Sequence, residues 1–274
     1  MKRLLRTAST VFLLATTLSA SAHEFWFWPS SFTPPSGSVV RLSLHVGQYF
    51  EGILTGFGMN QAVALREYSA GPTLDLIKQV PQQDQADFPA RVRGAGTHVF
   101  AYDSQTNLIT LPADKFNDYL HDEGLDAIVT QREAAGTAAT PGRERFRRNV
   151  KTIVSVGGKS DASFGVRTGQ RLEILPLTDP LANSVNDPLR FRLLFDDKPL
   201  VNGLVRAWHR RGGQTVMIRV RSDAQGELTL TLPYGGPWML SLVHMIAATD
   251  TTETDWDSYW GNLTFALPVK RAGR

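Results

Sequence analysis

Residues 38–46, Ser-Val-Val-Arg-Leu-Ser-Leu-His-Val, alternate apolar and polar side chains. Val40, Leu42, Leu44 and Val46 fall on one face, and Arg41, Ser43 and His45 on the other. A strand turns its side chains over every second residue, so this stretch reads as a half-buried β-strand. Residues 97–102, 108–111 and 150–156 carry further strand patterns. Between 56 and 96 the pattern weakens, because Pro72, Pro81 and Pro89 break it into short pieces. Beyond Gly169 the strands recur with turn signals between them, at 171–175, 189–195, 203–209, 216–220, 227–232, 238–244 and 262–267. Asp196-Asp197, Gly212-Gly213, Asp223 to Gly226 and Gly235-Gly236 mark the turns. Short strands at this spacing predict an antiparallel β-sandwich of the immunoglobulin-like kind.

One segment departs from that period. Pro112 stands where a helix can begin, since its missing N–H costs nothing there. Phe116, Tyr119 and Leu120 follow at helical spacing and Gly124 supplies a C-terminal cap. A second short helix fits 126–135, and 136–142 reads as a loop. The expected architecture is therefore mainly β, with a short helical insertion at 112–135. Gly157 to Gly169 reads as a linker or a long hairpin, which divides the chain into 23–160 and 170–268.

The first 22 residues read as a cleavable export signal. Lys2, Arg3 and Arg6 precede an apolar run centred on Val11 to Leu14, and Ala20-Ser21-Ala22 is a small-x-small cleavage pattern. The run is too short and too rich in Ser and Thr for a membrane span, and no other stretch approaches one. Cleavage after Ala22 makes His23 the first residue of a periplasmic protein. Of 29 Lys and Arg, three belong to the signal, leaving 26 against 26 Asp and Glu. That balance gives no reason to expect a nucleic-acid partner. With no cysteine, the chain has neither disulfides nor thiolate sites and depends on its apolar core.

The candidate chemistry is a metal site. A histidine at a processed N-terminus offers an α-amine and an imidazole that close a six-membered chelate around an ion such as Cu(II) or Ni(II). The run Phe25-Trp26-Phe27-Trp28 predicts that this terminus is anchored rather than frayed. His244 and the adjacent Met245 are the expected partners of His23, and Asp255 is the expected oxygen donor in the acidic loop that follows. The other histidines read as ordinary. His98 fits a core position bonded to backbone, His45 a polar strand face, and His121 an exposed helix face. His209 adjoins Arg210 and Arg211, a poor setting for a cation. Arg143, Arg145, Arg147 and Arg148 read as a solvated basic face, and Trp256, Tyr259 and Trp260 as core. There is no Gly-x-Ser-x-Gly elbow, phosphate-cradling loop or His-Glu-x-x-His, so the chain is not expected to be an enzyme.

The motifs in order resemble a family of exported proteins of unknown function. They are His23-Glu24-Phe25-Trp26, then 111–116 with Tyr119-Leu120 and Glu123-Gly124-Leu125. Arg143-Glu144-Arg145-Phe146 with Lys151-Thr152, Leu172-Glu173-Ile174 with Pro176, and Asp179-Pro180 continue the pattern. Val243-His244-Met245, Trp256 to Trp260 and Leu263-Thr264-Phe265 complete it. The resemblance implies an association with nickel and cobalt uptake, as the periplasmic component of such a transporter. The C-terminal half also resembles transthyretin-like and carboxypeptidase-regulatory-like sandwiches through 200–207, 222–226 and 236–238. The expected function is capture or delivery of a divalent transition metal (Ni, Co or Cu) to an uptake transporter. A metal-free adhesion or carbohydrate-binding module is the alternative, and copper redox chemistry at a histidine brace stands third.

Overall fold

Strand patterning dominates the computed structural model, which describes residues 23–269. The proposed signal at 1–22 lies outside the described residues. The half-buried strand of the opening stretch runs from Val39 to Gln48 and pairs antiparallel with Glu24–Pro29, so that Phe27 faces Leu44 and Phe25 faces Val46. Glu51–Leu54 and Phe88–Arg91 complete this small N-terminal sheet. A second small sheet joins Leu172–Pro176, Pro188–Phe195, Lys198–Pro199 and Glu227–Thr231, all antiparallel.

Between them lies a nine-stranded sheet drawn from both halves of the chain. Gln214–Arg221, Leu204–Arg211, Gly236–Ala247 and Trp256–Leu267 form one side of it. Gly142–Val156, Gly96–Ser104, Ala62–Tyr68 and Leu74–Asp75 form the other, with Asn107–Leu111 beside Gly142–Val156. The two sides meet in the one parallel pairing, where Trp256 to Thr264 register with Glu144 to Thr152. The protein is thus mainly β and sandwich-like.

Covering both faces of this sheet explains why its central strands are apolar in both phases. Along Gly96–Ser104, Val99 and Ala101 join the core shared with the C-terminal sheet, while Phe100 and Tyr102 join the core shared with the N-terminal sheet. Trp238, Leu263 and Phe265 are fully buried in the first core, each worth about 2–3 kcal/mol of burial. Phe27, Phe57 and Phe88 stack in the second.

The helical insertion comprises Ala113–Asp122 and Asp126–Ala134. Pro112 occupies the N-cap, and Gly124 turns the chain at φ +71° with no room for a Cβ against Leu204. Phe116, Tyr119, Leu120, Ile128 and Val129 pack onto Val243, Met245, Trp256 and Trp260 of the sheet. No helix among the described residues is long and apolar enough to cross a membrane.

The boundaries differ from the expected ones where charge hid a strand. The strand expected at 150–156 begins at Gly142, because its arginines are neutralised across the parallel pairing: Arg143 by Asp255 and Arg145 by Asp257. The same pairing extends the final strand back to Trp256. The 157–169 segment is tied down rather than loose: Asp161 accepts from the Thr97 and Ser163 amides at 3.1 and 2.9 Å. Within it, Ala162–Gly165 forms one short 3-10 turn.

Candidate functional site

Two consecutive residues at the start of the first strand, His23 just before it and Glu24 its first residue, line two different cavities. Strand alternation sends His23 and Phe25 to one side and Glu24 and Trp26 to the other. Phe25 belongs to the N-terminal core, whereas Trp26 joins Phe50, Trp208 and Met239. Antiparallel pairing to Val39–Gln48 holds the chain in that register from Glu24 onward.

Glu24 enters a buried charged group. Arg206 donates to Glu24 Oε1 at 2.8 Å and also to Glu123 Oε2. The three side chains are only 6–8% exposed. Ser241 donates to Glu24 Oε1 at 3.0 Å and accepts from Trp208 Nε1 at 3.0 Å. Burial pushes the Glu123 carboxyl up to about 8 against the pull of Arg206, and the neighbouring Glu24 charge adds to the rise. A cavity of about 140 Å³ adjoins the group, lined also by Tyr49, Tyr119, Asp122 and Trp208.

His23 enters the second cavity, of about 80 Å³, with Glu144, Arg148, Phe146 and Trp260 around it. Glu144 is almost fully buried and accepts from Ser258 Oγ and from the Tyr119 hydroxyl at 3.3 Å. Trp260 Nε1 donates to Ser258 Oγ at 3.2 Å, which fixes that hydroxyl from behind. No Lys or Arg pairs with Glu144 among the described residues, and burial raises its pKa to about 7. Arg148 is held between the Phe25 and Phe146 rings at 4.4 and 4.9 Å, and burial lowers it to about 10. Tyr119 lines the first cavity and Trp260 the second, and their rings stack at 5.8 Å.

The other expected ligands lie elsewhere. The His244 ring packs on Phe195 at 4.4 Å, and burial lowers its pKa. Met245 points to the opposite face of the same strand and is buried against the helices. Both border a groove of about 300 Å³ beside the second helix, which His23 does not line. Asp255 is committed to Arg143 through two bonds at 2.6 and 3.1 Å, and that guanidinium holds its carboxyl below the usual range. Among the described residues no three His, Cys, Asp or Glu side chains cluster as a metal site. The structure therefore brings His23 to Glu144 and does not bring it to His244, Met245 or Asp255.

The remaining histidines have structural partners. His98 Nδ1 lies 2.6 Å from Glu67, a carboxylate rather than the expected backbone group. His45 stacks on Trp26, His121 pairs with Asp126, and His209 bonds the Pro237 carbonyl. The sequence assigned no role to Glu24, Glu123, Glu144 or Arg206, and Arg148, expected on a solvated basic face, lies between the Phe25 and Phe146 rings. The signal for some of them was parity: Glu144 and Arg148 share a strand face with Phe146 and Val150, and Arg206 shares one with Trp208. A charge in phase with the apolar face of a strand is a charge headed for the interior.

A comparison with curated proteins returns no match. The model of the family described as "Domain of unknown function (DUF4198)" matches residues 20–246, most of the sequence, and the chain belongs to that family.

Proposed function

We propose that the protein is exported to the periplasm, binds one divalent transition ion at its processed N-terminus, and supplies that ion to a nickel- or cobalt-type uptake system. The observation that supports this reading is that His23 and Glu144 line one small cavity. Cleavage after Ala22 would add the α-amine of His23 to its own imidazole as a chelating pair. Glu144 would supply a carboxylate oxygen as the third donor. Two nitrogens and one oxygen suit Ni(II), Co(II) or Cu(II), with Cu(II) the strongest binder by intrinsic affinity. Glu144 is free for this role because hydroxyls, not a basic side chain, hold it in the apo protein. Ser258 and Tyr119 would then orient the carboxylate, as outer partners orient ligands in other metal sites. Arg148 is the feature of the cavity that opposes a cation. Its charge faces the Phe25 and Phe146 rings, which take up part of that field.

The experiment is a calorimetric titration of protein beginning at His23 with Ni(II) and Cu(II), beside the Glu144→Gln variant. The amide keeps the shape and the hydrogen bonds but removes the anionic donor. Binding should weaken about tenfold or more, the scale of loss when metal-site partners are removed. Equal affinity in the two proteins would remove Glu144 from the site and the proposal with it.

A further inference from the structure

We propose that the cavity between the Arg206 group and the Tyr49 turn binds a small organic ammonium compound. This cavity is separate from the one that His23 enters, and the inference does not depend on metal binding.

The first argument is charge. Arg206 is the single buried cation between the carboxylates of Glu24 and Glu123, and Asp122 lines the same cavity. Ser241 adds a neutral hydrogen bond to Glu24, and the Trp208 ring lies against the Arg206 guanidinium at 5.5 Å. With both glutamates ionised the group carries one uncompensated negative charge inside the protein, an expensive arrangement at low dielectric. Taking up a proton relieves it, which is the sense of the raised Glu123 pKa. A cation in the cavity relieves it equally well. One oxygen of each carboxylate is already engaged by Arg206. An ammonium ion need only approach them and the aromatic walls.

The second argument is the walls. Tyr49, Tyr119 and Trp208 line the cavity, and ring faces attract cations by about 1–2 kcal/mol once water is removed. Tyr49 and Phe50 form the two-residue loop between Gln48 and Glu51, both at φ +58°. Loops of this geometry favour Asn-Gly, and an aromatic residue there costs about 1–2 kcal/mol. Burial of Phe50 against Trp26 and Trp208 accounts for one of the pair. Tyr49 is 60% exposed, so burial does not account for the other. Its carbonyl accepts from Thr215 Oγ1 at 2.9 Å, and its ring meets Trp208 at 5.8 Å, at the mouth of the cavity. A ligand-facing ring explains why a tyrosine occupies a position better suited to glycine or asparagine.

The third argument is size and orientation. The cavity, about 140 Å³, is close to the ~150 Å³ of an engineered cavity that holds benzene. Compounds of about seven non-hydrogen atoms fit that scale. Arg219 stands on the exposed strand at the rim, which directs the ammonium end inward toward Glu24 and Glu123.

The test uses choline and its neutral isostere 3,3-dimethylbutanol, titrated into the full exported chain and followed by calorimetry and by ligand-observed NMR. Choline should bind saturably and the neutral isostere should not. At about pH 9, where Glu123 is ionised, Tyr49→Ala and Glu123→Gln should each weaken choline about tenfold, the equivalent of one cation–π or charge contact. Tyr49 is exposed, so its variant keeps the fold, which circular dichroism verifies. Absence of saturable choline binding would overturn the proposal. So would equal binding of the two probes, or choline binding that both variants leave unchanged.

Discussion

Two groups of buried charges sit on opposite faces of the same nine-stranded sheet, and they are built differently. On the face toward the C-terminal sheet, Lys151 Nζ meets Glu173 Oε1 at 2.8 Å, with both side chains at most 3% exposed. The Thr168 amide and hydroxyl each donate to the same oxygen at 2.9 Å. One cation meets one anion there, and the pair pulls the Glu173 carboxyl below its usual range. On the other face, Arg206 meets two glutamates beside a cavity, and Glu123 is pushed up instead. The first arrangement is electrically closed and ties the 157–176 segment to the sheet. The second lacks a cation for one of its carboxyls, as does Glu144 in the neighbouring cavity, and burial raises the pKa of Glu123 and of Glu144. Burying a charge is costly, so an unbalanced group beside a cavity points to a ligand, whereas a balanced one points to structure.

The largest effect should come from breaking the closed pair. Lys151→Ala leaves Glu173 buried without its cation and should cost about 3–5 kcal/mol in urea unfolding. Replacing both partners together with apolar residues of similar volume should cost much less. A loss below about 1 kcal/mol for Lys151→Ala would show that the pair is solvated and that the contrast between the faces is false.

The open group should reveal itself through pH. Glu123 is raised from 4.5 to about 8 in the folded protein, so across that window the folded state holds a proton that the unfolded state has released. Stability should therefore fall as pH rises from about 4.5 through about 8, the reverse of a salt-bridged carboxylate. Glu123→Gln cannot ionise and should make that slope shallower, leaving the part due to Glu144, whose pKa is raised to about 7, and leaving stability at pH 5 little changed. Urea midpoints at several pH values measure both, and an unchanged slope in the variant would locate the titration elsewhere.

The smallest effect should come from Asp255→Ala. Its partner Arg143 is 38% exposed and Asp255 itself 37%, so losing the pair should cost no more than about 1 kcal/mol. Nickel affinity should be unchanged, because the Asp255 carboxylate is bound to Arg143 and does not line the His23 cavity. A large loss of nickel affinity would return Asp255 to the ligand set.

Much of the fold was legible because β-strands and helices impose different periods on apolar residues. The alternation at 38–46 became part of the N-terminal sheet, and the short strands beyond Gly169 are all present, three in the C-terminal sheet and four in the nine-stranded sheet. The Pro112 start and Gly124 stop bounded the first helix closely. What alternation could not show was a sheet covered on both faces. The arginines of 143–148 looked like a solvated surface, yet Arg148 is half-buried between two rings. The Asp residues of 255–257 looked like loop acids, and they are the partners that make a parallel pairing of charged strands possible. Of the residues around the proposed site, only His23 stood out in the sequence, because cleavage after Ala22 would free its amine. Its polar companions Tyr119, Glu144, Arg148 and Ser258 come from strands and a helix over 90 residues away in sequence, and spacing along the chain carries no record of that proximity. His244 and Met245 looked like a pair because they are adjacent, but adjacency in a strand sends two side chains to opposite faces.

The most direct test of the N-terminal metal site moves only the amine. Adding one glycine before His23 keeps every side chain of the cavity and would convert the proposed chelating amine into a peptide nitrogen. Calorimetric titration with Ni(II) should then show affinity reduced on the order of 100-fold, since joining two donors in one residue gains about 10²–10⁴ in effective concentration. If the extended protein binds Ni(II) as tightly as the protein that begins at His23, the terminal amine is not a ligand and the metal site is not at the N-terminus.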